Sequence, residues 1–233
     1  SMSKSKKNTI DPEYIINNYG ADSVRLFILS DSPPEKDVQW SEQGITASYK
    51  FMQKLWSLNK KVLEEMKKDY KKDVGTELTS FTNKFIKKMT NNLENFQYNV
   101  IIANLHEMCS FLVKEIVKKY QKTTILDNYK KILITMTPIV PHFTNECLES
   151  LKENDKIIWP NYEETFTRDK ENLIVIQING KKRALISAKP NLNENDLIIM
   201  INKNKNLKKY FIDKEIKRKI YIKDKLINII VSN

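Results

Sequence analysis

The chain has 233 residues and a mass of 27.5 kDa, which allows one large domain or two smaller ones. Hydrophobic residues make up 40% of it, too many for a disordered chain. No apolar run approaches the roughly 18–20 residues that cross a bilayer, so we expect no membrane anchor. No apolar stretch follows the charged N-terminus, so we expect no secretory signal either.

The positive charge is concentrated near the C-terminus. The formal net charge is +11. Residues 1–172 hold 26 basic and 24 acidic side chains, whereas residues 173–233 hold 14 basic and 5 acidic ones. A lysine-rich composition alone would raise the basic count everywhere, but over residues 1–172 taken together the acids nearly match the bases. The asymmetry predicts a C-terminal unit that faces a polyanion.

Two short helices are predicted near the N-terminus. Asp11 is expected to cap the first helix, with Pro12 at its first position. Gly20 interrupts the pattern, and Asp22 is expected to cap a second helix that runs to Leu29. The following segment, DSPPEKDVQW, is predicted to be extended because consecutive prolines exclude a helix.

Five amphipathic helices are predicted next, starting at Ser41, at Thr76 as a cap, near residue 98, near residue 125 and near Pro138. The first of them shows a stripe at helical spacing, formed by Ile45, Tyr49, Met52, Trp56, Leu63 and Met66. Short connections between the five segments indicate an antiparallel helical bundle whose stripes form the core.

A second, smaller domain is predicted after an irregular charged linker at residues 153–172. Two β-rich runs flank Asn179-Gly180, a strong hairpin signal. A helix capped by Asn193 follows, and then a second hairpin, IKRKIYI-KDK-LINIIV. The fold class is therefore multidomain, an α bundle followed by an α+β domain of order β-β-α-β-β.

The sequence carries few catalytic signals. His106 and His142 lie on different predicted helices, and no glycine-rich phosphate loop or nucleophile elbow is present. Cys109 and Cys147 have neither metal-site nor disulfide spacing, so we expect buried thiols in a reducing, cytoplasmic compartment. By itself the chain does not read as a complete enzyme.

The opening MSKSKKN is either a solvated basic tail or a loop that contacts phosphate, since ammonium and hydroxyl groups both suit anions. Followed by DPEYIINNYGADSVRLFIL, it resembles the KMSKS signature of class I aminoacyl-tRNA synthetases, with Ser1 in the place of the first lysine.

Further strings narrow the resemblance to the bacterial-type leucyl-tRNA synthetases. They are PPEKDVQWSEQGITASYKFMQKLW, TPIVPHFTNECLESL, IIWPNYEE, IVIQINGKKR and the closing IKRKIYIKDKLINIIVSN. The resemblance covers essentially the whole chain. It implies a signature loop and stem-contact region at residues 1–40, an anticodon-binding-type bundle at 41–152, and a tRNA-binding domain at 173–233.

The resemblance also implies residue roles. Lys4 matches the signature lysine that supports the ATP phosphates, and Met2, Ser3 and Ser5 match its neighbours. ATP, with Mg²⁺, is implied as a substrate of the full enzyme, and no cofactor is expected on this chain alone. The nucleotide-binding domain that completes the active site in cis is implied to lie upstream, and the implied partner is tRNA(Leu), with no membrane.

Contacts with the tRNA elbow are implied for the C-terminal domain. The candidates are Lys181, Lys182, Arg183, Lys217, Arg218 and Lys219. Strand alternation predicts Lys217 and Lys219 on one face and Arg218 on the other. In the stem-contact region, Arg25 is a candidate for RNA contact or for an intramolecular ion pair, and Trp40 for a packing anchor.

Two alternatives remain open from the sequence. One is a non-catalytic helical scaffold with a basic module that binds protein or generic nucleic acid. The other is a different synthetase of the same class that shares the bundle, against which the QINGKKR and KLINIIV strings argue.

Overall fold

The computed structural model describes residues 9–31, 35–68, 70–151, 157–167, 172–212 and 214–232. The chain divides into two compact units, Ser1–Thr167 and Arg168–Asn233. Within the described residues, no helix is both long enough and apolar enough to span a membrane.

The described part of the first unit is helical. Its elements are α1 (Pro12–Tyr19), α2 (Ala21–Asp31), α3 (Glu42–Met66), α4 (Glu77–Glu94), α5 (Tyr98–Glu115), α6 (Lys122–Met136), α7 (Pro141–Ser150) and the single turn α8 (Glu164–Thr167). The predicted helical bundle is confirmed.

Side-chain caps explain several helix starts. The Asp11 carboxylate accepts a hydrogen bond from the Glu13 amide, and Ser41 Oγ accepts one from the Gly44 amide. Thr76 occupies the capping position of α4, but its side chain makes no capping hydrogen bond, so the role predicted for it is wrong. Asp73, in the loop between α3 and α4, caps the start of α6, because its carboxylate accepts a hydrogen bond from the Gln121 amide.

The core of the first unit is built from α2 to α7. The stripe of α3 lies partly on a different side from the predicted one, because Tyr49, Trp56 and Leu63 are only half-buried. The buried residues of α3 are Ile45, Phe51, Met52, Leu55, Leu58, Asn59, Val62, Glu65 and Met66. Helices α1, α5 and α6 contact this helix in addition to α2, which widens its buried arc beyond a single stripe.

Helix α2 holds the corner between α6 and α7 at two points. The buried Asp22 carboxylate accepts hydrogen bonds from the Phe143 amide at 2.7 Å and the His142 amide at 3.4 Å. Arg25 donates to two carbonyls of the same corner. Asp22 was predicted to cap its own helix, but α2 already begins at Ala21, so Asp22 lies within its first turn and caps the first turn of α7 instead.

Residues 157–167 fall within the range that the sequence indicates as an irregular linker, yet they pack against α4. Trp159 Nε1 donates to Thr90 Oγ1 at 2.9 Å, and the Glu163 amide donates to Asn83 Oδ1 at 2.6 Å. Lys87 pairs with Glu164 at 2.9 Å. These contacts are made by isolated polar and aromatic groups without a repeat, so hydrophobic periodicity could not reveal them.

The second unit has the predicted β-β-α-β-β order. Its elements are β1 (Asn172–Ile178), β2 (Lys181–Ala188), α9 (Glu194–Lys203), the short α10 (Lys205–Lys208), β3 (Ile216–Ile222) and β4 (Leu226–Val231). The sheet order is β2-β1-β4-β3, with β1 and β4 parallel in the centre. Asn179 and Gly180 both have positive φ, 50° and 76°, as the predicted tight hairpin requires.

One face of this sheet is buried under the helices. Alternate residues of β1 and β4, including Ile174, Ile176, Ile227 and Ile229, share an apolar cluster with Leu197 of α9. The helix-facing side therefore supplies the core of the second unit, and the strands leave their other side chains on the opposite face.

We predict that Asp22→Asn lowers the unfolding free energy of the first unit by about 1–2 kcal/mol, since the substitution weakens a buried cap. Urea denaturation followed by far-UV circular dichroism measures the change. Asp37→Asn, in an exposed segment, is the matched control and should change the free energy by less than about 0.5 kcal/mol. Equal values for the two variants would contradict the capping role.

Candidate nucleic-acid interface

Arg25 is engaged within the first unit. Its Nε donates to the Ile139 carbonyl at 3.0 Å and its Nη2 donates to the Pro138 carbonyl at 2.6 Å. These are hydrogen bonds to backbone rather than the intramolecular ion pair that was one of the alternatives. Trp40 packs edge-on against Phe27, with ring centroids 5.2 Å apart, so its predicted packing role agrees with the structure.

A cleft of about 550 Å³ lies between the α1–α2 turn, α3 and α7. Its walls are aromatic and polar: Tyr19, Tyr49, Trp56, His142 and Glu146 are among the lining residues. The sequence did not reveal this cleft, because α7 lies far along the chain from the three consecutive helices α1, α2 and α3 that form its other walls. Glu146 and Asp22 both line the cleft, and their negative charges make it a poor site for phosphate.

The six C-terminal candidates lie on the two outer strands of the sheet. Residues 181–183 belong to β2 and residues 217–219 to β3. Two strands separate β2 from β3, so the two triplets are about 14 Å apart at the usual strand spacing. The cations therefore flank the sheet and do not form one cluster.

A β-bulge divides the triplet on β2. Lys182 lies opposite Gln177, whereas Ala184 lies opposite the buried Ile176, which leaves Arg183 as the extra residue. The Arg183 guanidinium sits 4.5 Å from the centroid of the Tyr210 ring, a cation–π contact. Arg183 is thus held on the helix-facing side, and Lys182 lies on the other face.

A second bulge divides the triplet on β3. Arg218 pairs with Ile230, and Lys219 pairs with the buried Ile229, while Lys217 has no partner in the register. The Lys219 ammonium lies 3.9 Å from a Glu194 carboxylate oxygen on α9. The predicted alternation, with Lys217 and Lys219 together, is wrong because the bulge interrupts the two-residue period.

Burial shifts the pKa values of three titratable side chains in the bundle. Burial raises the pKa of the Cys147 thiol to about 12, and burial likewise raises the pKa of Cys109. Burial, with Lys54 nearby, lowers the pKa of His106. Among the described residues no three His, Cys, Asp or Glu side chains form a metal-binding group.

The four residues assigned to ATP, Met2, Ser3, Lys4 and Ser5, lie outside the described residues. Tyr210 is the contact residue that the sequence did not reveal. It lies 27 positions beyond Arg183, and no periodic pattern connects the two.

Comparison with known protein families gives two matches. Residues 75–199, more than half of the chain, match the family described as the anticodon-binding domain of tRNA ligase. Residues 1–41 match the family described as class I tRNA synthetases (I, L, M and V).

Similar curated proteins are leucine–tRNA ligases. The protein of Orientia tsutsugamushi is 37% identical over 99% of this chain, and that of Geotalea daltonii is 31% identical over 99%. The chain spans only 27% and 29% of their respective lengths.

A solved structure also matches, that of an Agrobacterium radiobacter K84 LeuRS–tRNA–LeuAMS ternary complex. The TM-score is 0.83 at 22% identity, over 100% of this chain and 32% of that one. This chain and the matched part of that structure therefore share a fold.

We predict that Arg183→Gln destabilises the second unit by about 0.5–1 kcal/mol, because it removes the cation–π contact with Tyr210. The neighbouring Lys182→Gln removes the same charge without that contact and should have almost no effect. Guanidinium denaturation of the two variants measures the difference. Indistinguishable unfolding midpoints would rule out a structural role for Arg183.

Proposed function

Because the chain belongs to the tRNA-ligase family that carries the anticodon-binding domain, we propose that it forms the tRNA-binding C-terminal part of a leucine–tRNA ligase. The full ligase activates leucine with ATP and transfers it to tRNA(Leu). The proposal is supported by leucine–tRNA ligase relatives that align with 99% of the chain.

The observation that carries the tRNA-binding role is the position of the excess charge. Residues 173–233 hold 14 basic and 5 acidic side chains, and six of the cations lie on the outer strands of one small sheet. Phosphate contacts supply most of the affinity of a protein for RNA backbone, and they need cations that acids do not neutralise. Residues 1–172, with 26 basic and 24 acidic side chains, are nearly balanced in charge as a whole, and the bundle within them acts as the support.

In the proposed scheme, each region of the chain makes a different contact. Residues 1–40 join the bundle to the catalytic domain, residues 41–152 pack along the tRNA, and residues 173–233 contact its elbow. Helix α2 links the first two of these regions, since Asp22 and Arg25 both bind the corner between α6 and α7.

The signature loop takes part in leucine activation in this proposal. Lys4 supports the ATP phosphates, and its charge stabilises the pyrophosphate as it leaves. Met2, Ser3 and Ser5 shape the loop, and Mg²⁺ accompanies the ATP substrate. Residues outside this chain supply the nucleotide-binding domain. Translation takes place in the cytoplasm, a compartment that suits the two free thiols, Cys109 and Cys147.

We predict that the chain binds unfractionated tRNA at low salt and that the affinity falls steeply as salt rises, because cations displace counterions from the phosphates. Filter binding at several salt concentrations measures this. Folded tRNA should bind more tightly than an unstructured single strand of equal length. Salt-independent binding, or a preference for the single strand, would favour a generic nucleic-acid module instead.

We predict that the chain alone does not catalyse leucine-dependent exchange of pyrophosphate into ATP, because the signature loop supplies only one side of the active site. The assay contains leucine, ATP and Mg²⁺, with an intact leucine–tRNA ligase as the positive control. Exchange above the no-enzyme background would refute the division of the active site.

A further inference from the structure

The cleft between the α1–α2 turn, α3 and α7 differs in charge from the protein as a whole. The chain carries 40 basic side chains against 29 acidic ones. Twelve described residues line the cleft, and none of them is a lysine or an arginine, whereas Asp22 and Glu146 are acidic. The cleft is therefore an acidic recess in a basic protein.

Two aromatic pairs form much of the cleft wall. The Tyr19 and Tyr49 rings meet edge to face, with centroids 5.8 Å apart and planes at 79°. Trp56 and Phe143 meet in the same way, with centroids 4.9 Å apart and planes at 84°. Tyr19, Tyr49 and Trp56 are only half-buried, so part of each ring is open to solvent. Aromatic rings attract cations to their faces, and this wall therefore favours a positively charged ligand.

The two carboxylates of the cleft have different states. The buried Asp22 carboxylate already accepts hydrogen bonds from the His142 and Phe143 amides, which removes the donors that an anion would need at the start of α7. Glu146 is exposed, and it makes no hydrogen bond or salt bridge with another described residue. Glu146 is therefore the carboxylate that is available to a ligand.

We propose that the cleft is a binding site for a guanidinium group, stacked on the half-buried aromatic rings and paired with the Glu146 carboxylate. A guanidinium is planar, stacks on aromatic faces and donates two parallel hydrogen bonds to a carboxylate. The volume of about 550 Å³ is within the usual range of small-molecule sites. The inference goes beyond the proposed tRNA-binding function and does not depend on it, because the cleft disfavours phosphate.

Isothermal titration calorimetry on the whole chain compares three ligands that share a butyl chain. Butylguanidinium should bind with a Kd below about 1 mM. Butylammonium should bind about fivefold more weakly because its compact charge stacks less well, and the neutral butylurea at least about tenfold more weakly. Inorganic phosphate is the opposing probe, since the first turn of α2 also lines the cleft and helix starts attract anions.

Glu146→Gln removes the pairing charge and should weaken butylguanidinium binding about tenfold. Glu149→Gln is the matched control, because it removes the same charge from an exposed position of α7 that does not line the cleft. It should change the Kd by less than about twofold. Trp56→Leu should weaken binding about fivefold, and Trp56→Phe, which keeps an aromatic ring, about twofold. Circular dichroism establishes that each variant folds, and Glu146→Gln, at an exposed position, carries the test if Trp56→Leu does not.

A second arm identifies where the guanidinium comes from. Tighter binding of an acetylated Gly-Arg-Gly amide than of butylguanidinium would assign the cleft to an arginine side chain of a protein segment. Weaker binding of the peptide would assign the cleft to a free small cation, and either result supports the site.

Four outcomes would overturn the inference. They are no binding of butylguanidinium, equal binding of butylurea, tighter binding of phosphate, and equal losses in Glu146→Gln and Glu149→Gln. None of them bears on tRNA binding, which the salt titration of the unsubstituted chain measures separately.

Discussion

The arrangement of helices in the first unit depends on hydrogen bonds between side chains of α2 and the corner that joins α6 to α7. A buried carboxylate accepts amide hydrogen bonds at the start of α7, and a guanidinium donates to carbonyls just after α6. Free amides at a helix start and free carbonyls after a helix end are the backbone groups that cost most when left unpaired. Asp22 and Arg25 satisfy both from one helix, three residues apart. The orientation of α2 relative to the bundle follows from these contacts rather than from apolar packing alone.

The second unit depends on a different constraint, the sidedness of a four-stranded sheet. One side of the sheet buries isoleucines against α9, so the side chains of each strand alternate between the two faces. The register of a strand therefore determines the face on which each of its paired cations lies. Two bulges alter that assignment and turn Arg183 and Lys219 toward the helices. Adjacent basic residues, which look like one patch in the sequence, consequently have different roles in the folded molecule.

Much of the fold was predictable because it rests on local rules. Asp11, Pro12 and Ser41 mark helix starts by cap chemistry, Asn179-Gly180 marks the hairpin, and both appear as expected. The errors came from tertiary contacts. Asp22 and Thr76 both have cap-forming side chains, but the Asp22 carboxylate binds the start of the distant α7, and the Thr76 side chain makes no capping hydrogen bond. The division of the cations also required register, since a bulge of one residue leaves no composition signal.

The two bulges have a further consequence for the behaviour of the protein in solution. β2 and β3 are the outermost strands, and unpaired amides and carbonyls along such strands invite strands from other molecules to add on. Each carries an irregularity and three consecutive basic residues, which bend the margin of the sheet and repel a like-charged copy. The second unit can therefore expose an aliphatic surface without polymerising through its edge strands.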